Sequence, residues 1–263
     1  MLNGYRLVDL TMTLDEACPV NLPTHIPFRK NLWNWYVQEE DYSGVHRPGR
    51  YGPYFTEWLM LDEHCGTHFD APTHFIPHPD SHLPNAAPVG SRYGELTKLE
   101  DMFGKAAVID ATAFAALGKP GAGAAIPLQT VLDWEQENGA ISPEDIVMFA
   151  TGWDKYCTPG SIEFNIGPEN GTTPGSPGLA PETMQYLIDK GVKCVCIDTP
   201  SMDPTGTNAT HFLGLTSGMI YIETLTGLTK LPKRGAYFIF LPLKVKGSSG
   251  CPGRAIALLP DAK

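Results

Sequence analysis

Apolar residues fall into short runs along this chain, separated by stretches rich in glycine and proline. Residues 6–11 predict a first short strand, and residues 56–61 a second. Residues 106–110, 146–150, 192–197, 219–222, 236–241 and 255–259 are apolar runs of the length that buried strands carry. Two amphipathic helical patterns lie among them. Residues 128–138 follow Pro127, place Leu128, Val131 and Leu132 on one face and stop at Gly139. Residues 181–190 turn Met184, Leu187 and Ile188 inward and stop at Gly191. Residues 96–103 predict a further short helix. Two strand–helix–strand passages favour an α/β class. Residues 15–57 carry many prolines and aromatics with neither period, so a long ordered loop is expected there. Its aromatics either line a pocket, cover a partner subunit or pack the loop onto its own domain. Residues 157–178, rich in Gly, Pro, Asn and Thr, predict a second long loop.

One stretch breaks the apolar pattern. Glu63-His64-Cys65-Gly66-Thr67-His68-Phe69-Asp70-Ala71-Pro72-Thr73-His74-Phe75 holds three imidazoles and a carboxylate within eleven residues. In extended chain, alternate side chains share a face, so His64, His68 and Asp70 project together, while Pro72 leaves the direction of His74 open. A helix would also align His64 with His68, but Cys-Gly-Thr between them is poor helix material. The expected form is a strand end running into a loop. Two imidazoles and a carboxylate converging on a point suit a divalent metal with positions left for water. Cys65 falls on the opposite face, where packing is expected.

Composition narrows the classes. A net charge of -10, with no Lys/Arg cluster, argues against a nucleic-acid surface. The amino terminus lacks the regions of a signal peptide, and no apolar run reaches membrane-spanning length. Six scattered cysteines form neither a CxxC pair nor a disulfide framework, so reduced thiols in a cytoplasmic protein are expected. Cys194 and Cys196 share a face of one predicted strand. There is no G-x-S-x-G elbow and no glycine-rich phosphate loop.

Further site groups must come from elsewhere. His25, His46 and His211 are the remaining imidazole candidates, together with the acidic residues. Glu223 ends an otherwise apolar run, where a buried carboxylate is costly unless paired or bound to a cation, although an exposed strand end or a salt bridge explains it too. His78 and His82 lie among four prolines and read as exposed loop residues. Asp198 is either structural or a support for the site.

The histidine run resembles H-x-G-T-H-x-D-x-P-x-H, the signature of the cyclase family that includes bacterial kynurenine formamidases and isatin hydrolases, with all seven fixed positions matched. Asp9-Leu10-Thr11 and residues 146–153, 177–179, 197–201 and 250–254 are similar to other family blocks, so the resemblance spans essentially the whole chain. The family's His followed twelve residues later by Glu is matched by His211 and Glu223, with Leu213-Gly214 departing from the usual apolar pair. The resemblance implies one domain over residues 1–263: an α/β fold with a mixed β-sheet core flanked by helices, of the swivelling β/β/α type, assembled as a homodimer or homotetramer. It implies one or two Mn²⁺ or Zn²⁺ ions, the first held by His64, His68 and Asp70, the second by a bridging Asp70 with His211 and Glu223. His74, outside that ligand set, becomes the acid–base group. The implied reaction is hydrolysis of an amide, cyclic amide or related ester of a small substrate by metal-activated water. The long loops favour the isatin-hydrolase branch. Deformylation of N-formylkynurenine and opening of a lactone or cyclic imide are the enzymatic alternatives, and a structural metal-binding protein is the other class. Trp33 and Trp35 are expected at a planar aryl substrate, in their own pocket or a neighbour's.

Overall fold

Alternating burial along the central strands sets the architecture in the computed structural model, which describes residues 4–37 and 52–261. The strands are β1 (Tyr5–Asp9), β2 (Arg29–Val37), β3 (Gly52–Met60), β4 (His68–Asp70), β5 (Phe103–Asp110), β6 (Ala125–Ile126), β7 (Asp145–Ala150), β8 (Gly178–Leu179), β9 (Cys194–Ile197), β10 (Ile220–Glu223), β11 (Tyr237–Pro242) and β12 (Gly250–Pro260). The helices are α1 (Leu128–Asn138), the single turn α2 (Ile166–Glu169), α3 (Pro181–Asp189) and α4 (Ala209–Thr216). Strands β5, β7, β9 and β10 run parallel, joined by passages that contain α1, α3 and α4. Strands β11, β12 and β4 complete the sheet in antiparallel sense.

The expectation of a mixed sheet flanked by helices is met, but the sheet is closed, not open. Gly250–Pro252 of β12 pair with β4 while the rest of that long strand pairs with β11, which closes the order β12-β11-β5-β7-β9-β10-β4 into a barrel-like ring. β1 extends the sheet along the far end of β12. Period-two alternation divides each strand between two cores. Ile146, Met148, Cys194, Cys196, Ile220 and Ile222 join the interior cluster with Phe69, Phe238 and Phe240. Val147, Phe149, Val195, Ile197 and Tyr221 join the cluster beneath the helices. Cys194 and Cys196 share the interior face as expected, their sulfurs 3.9 Å apart, and all six cysteines are free.

α1 buries Val131 and Trp134, with the Trp134 indole donating to the Val108 carbonyl at 2.8 Å, so its inner face is centred one turn further along than Leu128-Val131-Leu132 suggests. The helix expected at 96–103 resolves into 3-10 turns at Gly94–Leu96 and Leu99–Met102, the last running straight into β5. The long loop expected at 15–57 is also corrected. β2 lies within it and pairs antiparallel with β3 in a separate two-stranded sheet, and register shifts at Leu32/Asn34 and Trp35/Val37 blur the strand period. Tyr42, His46 and Tyr51 lie outside the described residues. Among the described residues, no helix is long and apolar enough to cross a membrane.

Candidate metal centre

β4 is three residues long, and its two neighbours decide what surrounds it. Phe69 points into the apolar interior of the sheet, so His68 and Asp70 face the opposite side, toward α4. The antiparallel register places Glu223 of β10 directly across from His68, which is the closest same-face arrangement two strands offer. His64 arrives by a different route from the one its even number suggests. β3 ends at Met60, and residues 61–67 form a turn, not a continuous strand. Asp62 accepts the His64 backbone N–H at 2.9 Å, and Gly66 takes a φ of +61° in a place where a Cβ would lie 2.5 Å from the Leu14 side chain. That turn folds the His64 ring back over β4. His211 sits in α4, and Asp203 accepts the backbone N–H groups of Thr210 and His211 at 2.7 and 3.0 Å as the helix begins. His74 follows β4 in a 3-10 turn, Pro72–His74.

Asp70, 1 % exposed, is the hub. Its Oδ1 lies 2.7 Å from His64 Nδ1 and 3.3 Å from His68 Nε2. Its Oδ2 lies 3.3 Å from His211 Nε2 and 4.0 Å from His74 Nε2. Glu223, 3 % exposed, accepts the Met202 N–H at 2.6 Å and lies 3.3 Å from His211 Nε2 and 3.8 Å from His68 Nε2. The outward nitrogen of each of three rings is already engaged. His68 Nδ1 donates to the Gly66 carbonyl at 2.7 Å, His211 Nδ1 faces Asp203 at 2.5 Å, and His64 Nε2 faces the Ser249 hydroxyl at 2.9 Å. Each ring therefore turns its other nitrogen toward the carboxylates. This is how metal-binding imidazoles are held: one nitrogen hydrogen-bonded outward, the other free to ligate.

The electrostatics point the same way. Burial works to raise the Asp70 carboxyl, but the charges of His74 and His64 and the hydrogen bonds of His211 and His64 hold it well below the carboxylate range. Burial and the nearby Asp70 charge push Glu223 up. His211 is raised well above its ordinary value: burial opposes the charge, and Asp203, Asp70 and Glu223 outweigh it. Two buried carboxylates in one pocket draw positive charge to it, and no Lys or Arg among the described residues pairs with either. A divalent cation with N and O ligands fits this donor set. Two groups of ligand atoms lie close enough to hold one: His64, Asp70 and His74, and His68, Asp70 and Glu223. This divides the ligands differently from the resemblance, which grouped His64 with His68 and left His74 out. Asp70 is shared in both versions.

The cluster forms one wall of a 480 Å³ cavity that also meets His25, Phe75 and Phe164. His64, His68, Asp70, His74, His211 and Glu223 are thus brought together. Trp33 and Trp35 are not in that cavity wall: they lie on β2, 42 % and 62 % exposed. His78 and His82 lie on the surface, and His78 Nδ1 accepts the Asp80 N–H at 3.2 Å. Asp198 accepts from the backbone N–H groups of Thr151 and Gly152 and the Thr151 hydroxyl, tying the ends of β7 and β9 together outside the cavity wall. Cys65 is fully buried, 3.5 Å from the Asn21 side-chain oxygen, with burial pushing its thiol up to about 12; it packs as expected, although it lies in the turn and not on a strand face. Sequence reasoning missed Asp203, Ser249 and Glu63, which act through contacts 8, 185 and 186 residues apart along the chain.

Comparison with known proteins agrees with this geometry. The family model described as "Putative cyclase" matches residues 8–204. An isatin hydrolase of Roseibium aggregatum is 30 % identical over 228 residues, covering 83 % of this chain and 81 % of that one. A kynurenine formamidase of Salinibacter ruber is 29 % identical over 238 residues, covering 85 % of each. A crystal structure of an isatin hydrolase bound to the product analogue thioisatinate superposes with a TM-score of 0.79 at 25 % identity, covering 98 % of this chain and 94 % of that one. With the signature histidines gathered around one carboxylate on a sheet shared with these proteins, the chain belongs to the cyclase family.

Proposed function

We propose that this chain is a metal-dependent hydrolase that cleaves an amide bond of a small aromatic or cyclic substrate, with an isatin-like cyclic amide favoured. The observation that carries the reading is the placement of inward-turned nitrogens and the Glu223 carboxylate on the wall of an open cavity, with Asp70 buried among them and His74 beside them. His64, His68, Asp70, His211 and Glu223 would hold a divalent ion, which when bound would supply Lewis acidity toward a carbonyl and a lowered pKa of bound water. His74 keeps 21 % of its side chain exposed, and burial pushes its imidazole down to about 3 against the pull of Asp70. Lining the cavity with its Nε2 4.0 Å from Asp70 Oδ2, it is placed to take a proton from water and return it to the departing nitrogen. A structural metal site needs no such base, which weighs against the non-catalytic alternative. Phe75 and Phe164 give the cavity aromatic surface for a planar substrate.

The second reading is deformylation of N-formylkynurenine, favoured by the similarity to the Salinibacter ruber enzyme over 85 % of both chains. Protein stripped with chelator and reloaded with Mn²⁺ or Zn²⁺ is to be offered isatin and N-formylkynurenine side by side. Metal-dependent loss of isatin is the expected result; preference for the formyl compound moves the protein to the second reading. If neither turns over, nor does a panel of lactones and cyclic imides, the hydrolase reading falls.

The same proposal includes self-association. Trp35, Tyr36 and Phe55, in mutual ring contact on the β2–β3 sheet, are 62 %, 56 % and 43 % exposed, and large apolar side chains clustered in this way mark an interaction surface. Packing against a second copy would bring Trp33 and Trp35 to the neighbour's cavity. A monomer in light scattering removes this part.

A further inference from the structure

His64 differs from the other imidazoles of the centre in how its outward nitrogen is held. His68 leans on a neutral backbone carbonyl, and His211 on Asp203, which precedes α4 and accepts its first N–H groups. His64 leans on a hydroxyl, and that hydroxyl is committed. Ser249 Oγ donates to Glu63 Oε2 at 2.6 Å, and the Ser249 backbone N–H donates to the same oxygen at 2.7 Å. A serine hydroxyl has one proton. With that proton given to Glu63, Ser249 Oγ can only accept from His64 Nε2, 2.9 Å away. His64 Nε2 then carries the proton, and Nδ1 turns to Asp70 at 2.7 Å. The seat is tight: Gly250 follows Ser249, and a Cβ there would lie 2.7 Å from His64 Cε1. Glu63 neighbours His64 in sequence, yet its contact to the ring runs through Ser249, just before β12.

We propose that Glu63 and Ser249 are positioning residues that fix His64 in the Nε2–H tautomer, so that its Nδ1 is the nitrogen offered to a divalent ion. The proposal rests on the metal-centre reading above. A chain from carboxylate through hydroxyl to imidazole also makes Nδ1 a better electron donor than a carbonyl-held ring would be.

The test is the Zn²⁺ affinity of the full chain, measured by chelator competition for wild type, S249A, S249T and E63Q, with the melting temperature of each metal-free protein as the folding control. Loss of an outer hydrogen-bond partner typically costs about 10–100-fold in metal affinity. S249A is expected in that range, S249T within about threefold of wild type because the hydroxyl is kept, and E63Q between them because a neutral amide still accepts. The ¹⁵N imidazole spectrum of the Zn²⁺-loaded wild type is expected to show His64 protonated at Nε2, assigned by its absence in His64→Gln. Wild-type affinity in S249A, equal weakening in S249T, or a His64 proton on Nδ1 overturns the proposal. If wild-type protein binds no Zn²⁺ at all, the metal-centre reading itself fails, which is a separate and prior result. Should S249A fail to fold, E63Q, with almost the same shape as Glu63, carries the comparison.

Discussion

The imidazoles of His64 and His74 stack on one another, with ring centroids 3.8 Å apart and planes 28° from parallel. Both rings line the cavity, and His74 keeps more of its side chain exposed, 21 % against 7 % for His64. The proposed ligand and the proposed base are thus in direct ring contact.

His74→Ala is expected to lower kcat by about 10²–10⁴, the usual contribution of one acid–base group, with bound-metal content unchanged. Turnover and metal analysis on the same sample separate the outcomes. Undiminished turnover ends the base role, and lost metal makes His74 a ligand alongside His64 and Asp70.

Asp70 touches four imidazoles and belongs to both candidate ligand groups. Asp70→Ala is expected to abolish metal binding and activity together. Because a ligand that binds only the folded state stabilises it, chelator should lower the melting temperature of wild type by several degrees and leave the variant unmoved. A variant that still responds to chelator would show that Asp70 is not the shared ligand.

Gly214 lies in α4 where a Cβ would come within 1.9 Å of the Tyr221 hydroxyl oxygen, which itself donates to the Thr210 carbonyl at 2.6 Å. This explains why a glycine stands in the helix that carries His211. Gly214→Ala is expected to cost about 1–3 kcal/mol by overpacking and to weaken metal binding as α4 shifts. Denaturant unfolding with an unchanged midpoint would contradict the contact.

Glu135 joins α1 to α3: it accepts from the Tyr186 hydroxyl at 2.5 Å, the Lys190 ammonium at 3.0 Å and the Ile141 N–H at 2.6 Å. Burial raises its carboxyl, and these three partners outweigh it, so the folded value lies below the ordinary 4.5. A depressed carboxyl stabilises above the unfolded value and loses that stabilisation as pH falls through the folded one. Glu135→Gln should therefore cost about 1 kcal/mol at pH 7, the lower part of the range for charged hydrogen bonds because solvent screens the rim. Wild type and variant should converge only at pH values below the folded value, itself under 4.5. A difference that persists there assigns the effect to shape instead of charge.

The chain's own order determined a good deal. The spacing of His68 and Asp70 put them on one face, opposite Phe69, because a strand alternates, and the same rule put Cys194 and Cys196 together on one face. The α/β passages and the apolar runs were legible because each is a local periodicity. The family signature was legible because it is contiguous. Other features depended on contacts between segments far apart in sequence. The strand β2 was hidden by irregular pairing, and closure of the ring rests on three residues of β12 meeting β4. His64 reaches the centre through a turn that only a glycine at 66 allows, so its even number matched the outcome for a different physical reason. Glu223 faces His68 because β10 and β4 share a register, and Asp203, Glu63 and Ser249 matter only through the nitrogens they hold. Periodicity is a property of neighbouring residues, whereas register, closure and the direction of a ring nitrogen are fixed by partners that only the folded chain brings together.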